Sequence, residues 1–539
     1  MPTVTETLRQ AVNLHQAGSL GEAEKCYRAI LAVQPRCADA HHLLGLLAHQ
    51  ARRSADAITH IQAAIEIDHA QPTYFHNLSL AALAAGHSEL AIKAARQALM
   101  LDPQNGSLHD NLGHVLLTDG QPEEAACALR EAARLAPNSP KVRTNFSAAL
   151  CQSGCVDEAV QEAQRAVTLA SGDARAHNAL ALALQQQGHA DAAAISFDRS
   201  VQLDGSDTEL QWNRTLSQLS RGKWSEGWSQ YDLRSRQAGQ HVRHLPRPTW
   251  AGEPLSGKTI LVYAEQGIGD EIMFASCLPD VVDQAGRCVV ECNDRLTGLM
   301  ARSFPGAYVV GHQNDEQLSR LCDQQNVDWV IAAGGLPRWL RPTVESFPTR
   351  RSYLSADPNR VASWKQRLDE LGAGMKVGIS WRGGAVAATR RHRSTSLQQW
   401  QPIFQIPDTT FVNLQYGDCR EELAVAQQQG MRIHQWPDAD PLGDLDELAA
   451  LIASLDVVVS VANATVHLAG ALGGEVWTML GVSPSWRWLL DRGDTPWYES
   501  MRLYRQPRHG DWDSVLRRIA EQLSRRATGE SLVSGGSLV

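Results

Sequence analysis

The chain has 539 residues and a formal net charge of −9, and it is longer than a single hydrophobic core normally serves. An acidic balance argues against a general nucleic-acid or membrane-surface binder, since both need a basic footprint. The ten cysteines follow neither a disulfide framework nor the spacing of a zinc site, which is typical of a reducing compartment. Without an apolar leader or an apolar run of 18 residues, we expect a cytoplasmic protein that is not inserted in a membrane.

The first 230 residues repeat with a period of 34. Glycine recurs at positions 18, 86, 120, 154, 188 and 222, with Arg52 in the one missed position. Alanine follows five residues after each turn, at 23, 57, 91, 125, 159 and 193, and Gly227 closes that series. This period is that of the tetratricopeptide repeat, and we expect both small columns to let helices approach closely. The sequence therefore predicts an α-solenoid, a tetratricopeptide superhelix of about seven repeats over residues 1–236, that binds a polypeptide.

A row of asparagines marks one surface of the predicted superhelix. It occupies the same position in the first helix of four repeats and is interrupted by Ala179; its members are Asn77, Asn111, Asn145 and Asn213. An amide donates and accepts at once, so such a row can bind an extended peptide backbone without reading its sequence. The alternative is that asparagine is frequent at this position for local reasons.

The second half alternates short β-branched runs with helical stretches. Residues 237–257 lack either periodicity and form a linker or docking segment. TILVYA, RCVVEC, AYVVG and VDWVIAAG then predict four strands, and KVGISW, TTFVNLQ, LDVVVSV and EVWTML predict a second series. Two such series predict two doubly wound α/β lobes, residues 258–355 and 356–524, before a disordered tail at 525–539.

The first loop of interest follows TILVY and reads AEQGIGDEIMF. Gly267 and Gly269 permit a tight turn, and Asp270 opens the next helix. Its carboxylate is either an N-terminal cap or a general base directed at a ligand beyond the strands.

The second loop follows KVGIS and is strongly cationic, with Arg382, Arg390, Arg391 and Arg393. It is followed by Ser394 at the start of a helix. The pattern favours phosphate binding, and a solvated charge run is the alternative.

The third loop follows LDVVV and leads into a helix near Thr465. A helix N-terminus directs free N–H groups at an anion. His467, in the first turn, is either a structural histidine or a donor contact to that anion.

Two resemblances follow. The repeat array joined to α/β lobes is similar in architecture to O-linked N-acetylglucosamine transferase. The segments LVYAEQGIGDEIMFASCLP, VVVSVANATVHLAGALGGEVWTMLG, SWRWLLDRGDTPWY and MRLYRQPRHGDW together resemble the repeat-fused glycosyltransferases related to the lipopolysaccharide heptosyltransferases, over most of residues 248–522.

The second resemblance implies two Rossmann-like lobes in the GT-B arrangement and an inverting reaction without a metal ion or a cofactor. The nucleotide sugar is then a co-substrate, and Asp270 falls on the family's catalytic base. The implied donor-binding residues are Gly267, Gly269, Arg382, Arg393, Ser394, Gln415, Asn463, Thr465, Val466 and His467. Relatives carry Ser-x-Asp-Thr where this chain has Ser460 to Asn463, so an acid expected to touch the donor sugar is replaced by Ala462.

These observations lead to one principal hypothesis and two alternatives. The principal one is a protein O-glycosyltransferase that modifies Ser or Thr of a polypeptide held by the repeats, with flagellin as the acceptor that the resemblance implies. The first alternative is an enzyme acting on a glycan or lipid-linked acceptor. The second is a repeat adaptor whose transferase domain has lost activity.

Overall fold

The structure, a computed structural model, describes residues 3–237, 242–384 and 393–528. The chain divides into two compact units, Met1–Leu184 and Gln185–Val539. The boundary falls inside a helix of the repeat array. The last helices of that array therefore belong to the same unit as the β-sheets.

Residues 3–237 form fourteen α-helices in successive pairs, and a 3₁₀ turn, Tyr231–Arg236, ends the series. This is the expected tetratricopeptide-type solenoid. The helices are α1 Val4–Gln16, α2 Leu20–Val33, α3 Ala38–Gln50, α4 Ser54–Ile67, α5 Pro72–Ala84, α6 Ser88–Leu101, α7 Gly106–Thr118, α8 Pro122–Leu135, α9 Pro140–Ser153, α10 Val156–Leu169, α11 Ala174–Gln187, α12 Ala190–Leu203, α13 Thr208–Ser220 and α14 Trp224–Gln230.

The recurring glycines are needed for backbone conformation. Each lies in the turn between two helices with φ between 73° and 92°, the left-handed region that other residues rarely adopt. A Cβ at Gly18, Gly86 or Gly120 would meet no atom within 4 Å. The explanation by close helix approach is therefore wrong for this column. Arg52 takes the same turn with φ 58°, without the freedom of glycine.

Close approach does explain the alanine column. All six alanines are fully buried, at 0% exposure. At Gly227, which continues the column, a Cβ would lie 2.5 Å from Leu219 Cδ2. Side chains larger than methyl have no room at these positions.

The first sheet has four parallel strands in the order β3-β2-β1-β4. They are β1 Thr259–Tyr263, β2 Arg287–Glu291, β3 Ala307–Val310 and β4 Trp329–Ala332, which confirms the four predicted strands. Part of the expected linker docks on this sheet, since Trp250 N–H donates to Val330 O at 2.9 Å and Val330 N–H donates to Pro248 O at 3.0 Å.

The second sheet has six parallel strands in the order β10-β9-β8-β5-β6-β7. They are β5 Met375–Ser380, β6 Thr409–Asn413, β7 Ile433–His434, β8 Val457–Val461, β9 Val476–Leu480 and β10 Met501–Arg505. Four were predicted. The two that were missed, β7 and β10, lie at the edges of the sheet.

The helices that accompany the strands range from 4 residues, in Pro337–Leu340, to 16, in Trp512–Ala527. Those described are Ile268–Phe274, Leu278–Gln284, Thr297–Ser303, Asp315–Gln324, Pro337–Leu340, Pro358–Asp369, Gln401–Phe404, Arg420–Gln428, Leu445–Ala453, Ala464–Ala471 and Trp512–Ala527. The last one includes the first residues of the expected tail. Residues 529–539, Arg390 and Arg391 lie outside the described residues.

An aromatic cluster joins the last repeat to the sheets of the same unit. We call it the aromatic joint: Trp224, Trp228, Tyr231, Trp486 and Trp497, all at most 5% exposed. Trp224 stacks on Trp497 with ring centroids 5.8 Å apart, and Trp228 meets Trp486 edge-on at 5.3 Å. The final helix of the array thus packs into the core of the α/β part.

Across residues 3–237, 242–384 and 393–528, the helices are either too short or too polar to cross a lipid bilayer.

Candidate functional site

Asp270 follows β1 and reaches across to the loop after β9. Gly267 occupies the N-cap position of helix Ile268–Phe274 without a side-chain cap, so the capping alternative for Asp270 is wrong. Asp270 Oδ1 accepts from Arg487 Nε at 2.7 Å and also from Arg487 Nη2. The two side chains are 22% and 20% exposed, so the ion pair is within reach of solvent.

Arg487 was not among the predicted site residues, although its segment SWRWLL carries part of the resemblance. It lies in the 3₁₀ turn Trp486–Trp488, where its Nη1 donates to Ser485 Oγ at 2.9 Å. Its guanidinium also lies 4.7 Å from the centre of the Trp486 ring, a cation–π contact. Three kinds of contact therefore fix this cation beside Asp270.

The last repeat supports the loop that leads to Asp270. Arg234, in the 3₁₀ turn after α14, donates from Nε to Glu265 Oε1 at 2.9 Å. The same oxygen accepts from Gly334 N–H at 3.2 Å, after β4. Glu265 thus ties the Asp270 loop both to the array and to the neighbouring strand.

His467 is a buried, neutral member of the site. Its Nδ1 lies 2.8 Å from Tyr498 Oη, and its ring stacks on Trp488 with centroids 5.0 Å apart. Burial lowers the pKa of His467 to about 4, against the opposing effect of the Asp270 charge. The imidazole is consequently uncharged at neutral pH.

Gly269 permits a close contact between the helix that carries Asp270 and the helix that carries His467. A Cβ there would lie 3.2 Å from His467 Cδ2 and 3.5 Å from Ala464 Cα. Helix Ile268–Phe274 follows β1 of the first sheet, and helix Ala464–Ala471 follows β8 of the second sheet. The absence of a side chain at Gly269 therefore brings the carboxyl edges of both sheets together.

Gln415 and Asn463 form the framework beneath the second sheet's loops. Gln415 Oε1 accepts from the N–H groups of Trp381 and Arg382, at 3.0 Å and 2.8 Å. Asn463 Nδ2 donates to Ser380 Oγ at 2.8 Å. Both amides are more than 90% buried, so the structure gives them a positioning role around the end of β5.

The segment from Asn463 to His467 forms a capped helix start. Asn463 Oδ1 accepts from Thr465 N–H at 3.0 Å, which is N-capping of helix Ala464–Ala471. Thr465 and Val466 are 3% and 0% exposed, with the backbone included. The structure therefore gives these two residues a role in the helix start, with almost no surface of their own for a ligand.

The arginines of the loop after β5 lie in different surroundings. Arg382 donates from Nη2 to Asp418 O at 2.8 Å and pairs with Glu422 at 3.2 Å, at the flank of the second sheet. Ser394 Oγ accepts from Gly383 N–H at 3.1 Å and closes the loop.

Arg393 is exposed and lies within the electrostatic field of the ion pair. Partial desolvation and then the Arg487 charge lower its pKa, while the Asp270 charge opposes them. Arg393 remains cationic at neutral pH. Of the two predicted loop arginines with described side chains, Arg393 is the one near Asp270.

The asparagine row makes contacts between consecutive repeats. Asn77 Nδ2 lies 2.7 Å from His42 Nε2, and Asn145 Nδ2 donates to Asp110 Oδ1 at 2.8 Å. In both pairs the partner stands 35 residues earlier in the sequence. Asn111 is 5% exposed and donates to Ser79 Oγ, while Asn213 lies half-buried on α13. The structure thus gives Asn77, Asn111 and Asn145 a role in holding consecutive repeats together.

Glu271, next to Asp270, was not predicted. Its Oε2 accepts from Asn293 N–H at 2.8 Å, and it lines a small cavity of about 20 Å³ beneath the first sheet's loops. Burial raises the pKa of Glu271 to about 7, although the Asn293 hydrogen bond acts in the opposite direction. Two adjacent acids thus have different environments, one paired with a cation and one desolvated.

Comparison with known proteins bears mainly on the repeats. Residues 24–200 match the family model described as tetratricopeptide repeat. The chain is 37% identical over 327 residues to Protein FlbA of Caulobacter vibrioides, a match that covers 58% of this chain and 54% of the relative. The chain thus spans about half the length of this curated relative.

Two solved structures illustrate the similarity of the chain to known folds. A tetratricopeptide repeat protein from Parabacteroides merdae is 14% identical, with TM-score 0.40, over 44% of this chain and 94% of that one. The protein pilF of Pseudomonas aeruginosa is 20% identical, with TM-score 0.34, over 39% and 95%.

Proposed function

We propose that this chain is a protein O-glycosyltransferase. Its tetratricopeptide array presents a polypeptide, and its two α/β lobes, in a GT-B arrangement, transfer a sugar from a nucleotide-activated donor to a Ser or Thr hydroxyl. The observation that carries the proposal is the junction of Asp270, from the first sheet, with Arg487 and His467, from the second. It joins a carboxylate, a cation and a neutral imidazole at the carboxyl edges of two parallel sheets, where ligands of such folds bind.

In this mechanism Asp270 is the general base. A Ser or Thr hydroxyl is a weak nucleophile, and a carboxylate that accepts its proton during attack on the anomeric carbon raises the rate. The ion pair with Arg487 holds the Asp270 carboxylate oriented before the substrates arrive. A donor diphosphate then competes for the guanidinium, since arginine forms forked hydrogen bonds to phosphate as well as to carboxylate.

The leaving nucleotide carries negative charge, which Arg487 and Arg393 are placed to offset. Cations fixed in advance lower the energy of a developing charge because they need no rearrangement during the reaction. His467 is uncharged and has Nδ1 at Tyr498, which leaves Nε2 as the ring atom for a donor contact. Gln415 and Asn463 act through the backbone that they hold.

The acceptor is proposed to bind along the repeat array. Tetratricopeptide arrays bind polypeptides as a class, and the α/β unit contains the array's last helices. The amides of Asn77, Asn111 and Asn145 already bond between repeats, so acceptor contacts are expected mainly from neighbouring side chains of the array. Flagellin as the acceptor rests on the resemblance to repeat-fused transferases.

The test uses the purified full-length chain with UDP, GDP, ADP and CMP sugars. A selective ligand raises the melting temperature by mass action, and nucleotide release reports turnover. Asp270→Asn should lower turnover by at least about a hundredfold and preserve the ligand-induced thermal shift. Asp283→Asn, at an exposed acid on helix Leu278–Gln284, is the matched control and should leave both unchanged.

Three outcomes would contradict parts of the proposal. Wild-type turnover by Asp270→Asn removes the base assignment. If the wild-type chain neither binds nor hydrolyses any nucleotide sugar, the adaptor alternative replaces the enzyme. If flagellin has the same mass in cells with and without the gene, flagellin is not the acceptor.

A further inference from the structure

A cationic pocket lies at the edge of the second sheet, between β10 and helix Trp512–Ala527. Its volume is about 190 Å³. Four arginines line it, accompanied by one acid, and these residues are Arg492, Arg505, Arg518, Arg525 and Glu521. We call it the arginine pocket.

Two of these arginines have only backbone oxygens as partners among the described residues. Arg505 donates from Nε to Arg492 O at 3.0 Å and from Nη2 to Trp488 O at 2.8 Å. Arg518 donates from Nη2 to Arg505 O, and its buried Nε has no hydrogen-bond partner within the described parts of the chain. The carboxylate of Asp494 pairs with a third arginine, Arg492.

The Arg505 guanidinium stays charged in spite of its burial. Burial lowers the pKa of Arg505 to about 10, which still leaves it protonated at neutral pH. A partly buried charge is costly unless an opposite charge meets it. Glu521 is the one carboxylate in the lining, Asp494 pairs with Arg492 and the Asp491 charge acts on Arg505, so three nearby carboxylates meet four guanidiniums and one positive charge is left over.

The lining also has the geometry for a multivalent oxyanion. Arg518 and Arg525 are seven residues apart on one helix and therefore share a face. Their planar groups can each donate two parallel hydrogen bonds to one phosphate. One water takes roughly 30 Å³ of liquid volume, so the pocket holds a group of several heavy atoms and has no room for a folded segment.

We propose that the arginine pocket binds a phosphate or diphosphate group, either as a free ion or as the end of a larger soluble molecule. The site is separate from Asp270 and its partners, and the inference holds whether or not the chain transfers sugar. Arg505 both lines this pocket and fixes the loop that follows Arg487, through Trp488 O. Two residues of that loop, Leu489 and Asp491, have left-handed backbones with φ 53° and 52°.

The experiment is calorimetric titration of the full-length chain with inorganic phosphate and with pyrophosphate, at ionic strength held constant with sodium chloride. We expect saturable binding of at least one of them. Arg518→Gln combined with Arg525→Gln should raise its Kd at least tenfold. Arg525→Gln alone, at an exposed side chain that the fold does not need, should raise it at least threefold.

Two controls locate the binding. Arg517→Gln removes one exposed charge from the same helix outside the pocket lining and should leave Kd unchanged. Arg393→Gln combined with Arg487→Gln removes the cations of the Asp270 site and should also leave the pocket's Kd unchanged. The proposal is overturned if neither ion binds saturably, if Arg517→Gln weakens binding as much as Arg525→Gln, or if only the Arg393 and Arg487 variant abolishes it.

Discussion

Replacement of glycine by alanine should have opposite effects on stability at two positions of the array, Gly120 and Gly21. Gly120→Ala puts a methyl group into open space, since nothing lies within 4 Å of the new Cβ. The cost is therefore conformational, because the residue must keep φ 80°. A left-handed conformation costs a non-glycine residue about 1–2 kcal/mol. Alanine also lowers the conformational entropy of the unfolded chain, which offsets about 0.4–1 kcal/mol of that cost. We expect a net loss of about 1 kcal/mol in the free energy of unfolding.

Gly21→Ala is the matched control. Gly21 is exposed on helix α2, has an ordinary helical backbone, and also has no atom within 4 Å of an added Cβ. Alanine there should stabilise the array by about 0.5 kcal/mol, because it is the better helix former. Arg52→Gly tests the converse and should stabilise the turn, since it relieves the strain at φ 58°.

The assay is urea unfolding followed by circular dichroism at 222 nm, with attention to the transition of the unit Met1–Leu184. If Gly120→Ala is as stable as wild type, or if the two alanine variants shift in the same direction, backbone conformation is not the reason for the column.

Three further predictions concern the α/β unit, and each is measured by urea unfolding of the full chain. The pKa of His467 is lowered to about 4, so the unfolded state takes up a proton first as pH falls and the contribution of this residue to stability is lost between pH 6.5 and 4; the free energy of unfolding of wild type minus that of His467→Gln should fall over that window. The pKa of Glu271 is raised to about 7, so its contribution has the opposite sign and is lost as pH rises from 4.5 to 7; a constant difference between wild type and Glu271→Gln over that window would refute this. Trp228→Ala should cost about 3–5 kcal/mol, because the ring is 1% exposed and its Nε1 donates to Arg341 O at 3.0 Å, whereas Trp228→Phe should cost less.

The strands that could be predicted from the sequence are those that carry a run of apolar or β-branched residues, including β3, none of whose residues is fully buried. A parallel strand covered on both faces is a continuous apolar run, and β8, Val457–Val461, is buried at every position. Strand β10 reads MRLYR, with arginine at the second and last positions, so neither a continuous run nor a clean alternation marks it. The two-residue β7 is too short to carry a pattern at all.

The candidate site was predicted only in part. Asp270 and His467 follow strands of two different series, and the rule that ligands bind beyond the carboxyl ends was enough to single them out. Arg487 lies 217 positions from Asp270, and its pairing depends on how the two sheets and their loops pack. Periodicity was likewise enough to identify the asparagine row. The hydrogen bonds of these asparagines to residues 35 positions earlier could not be predicted, because they depend on how consecutive repeats stack.

The aromatic joint limits the part of the chain in which repeats can be gained or lost. Repeats before residue 185 belong to a separate compact unit, so repeats can be gained or lost there while the rings around Trp224 and Trp228 stay covered. A recombination that exchanged everything before residue 237 would instead remove Trp224, Trp228 and Tyr231 and expose Trp486 and Trp497. Descendants of this gene should therefore vary in the number of early repeats and inherit the last one together with the two β-sheets.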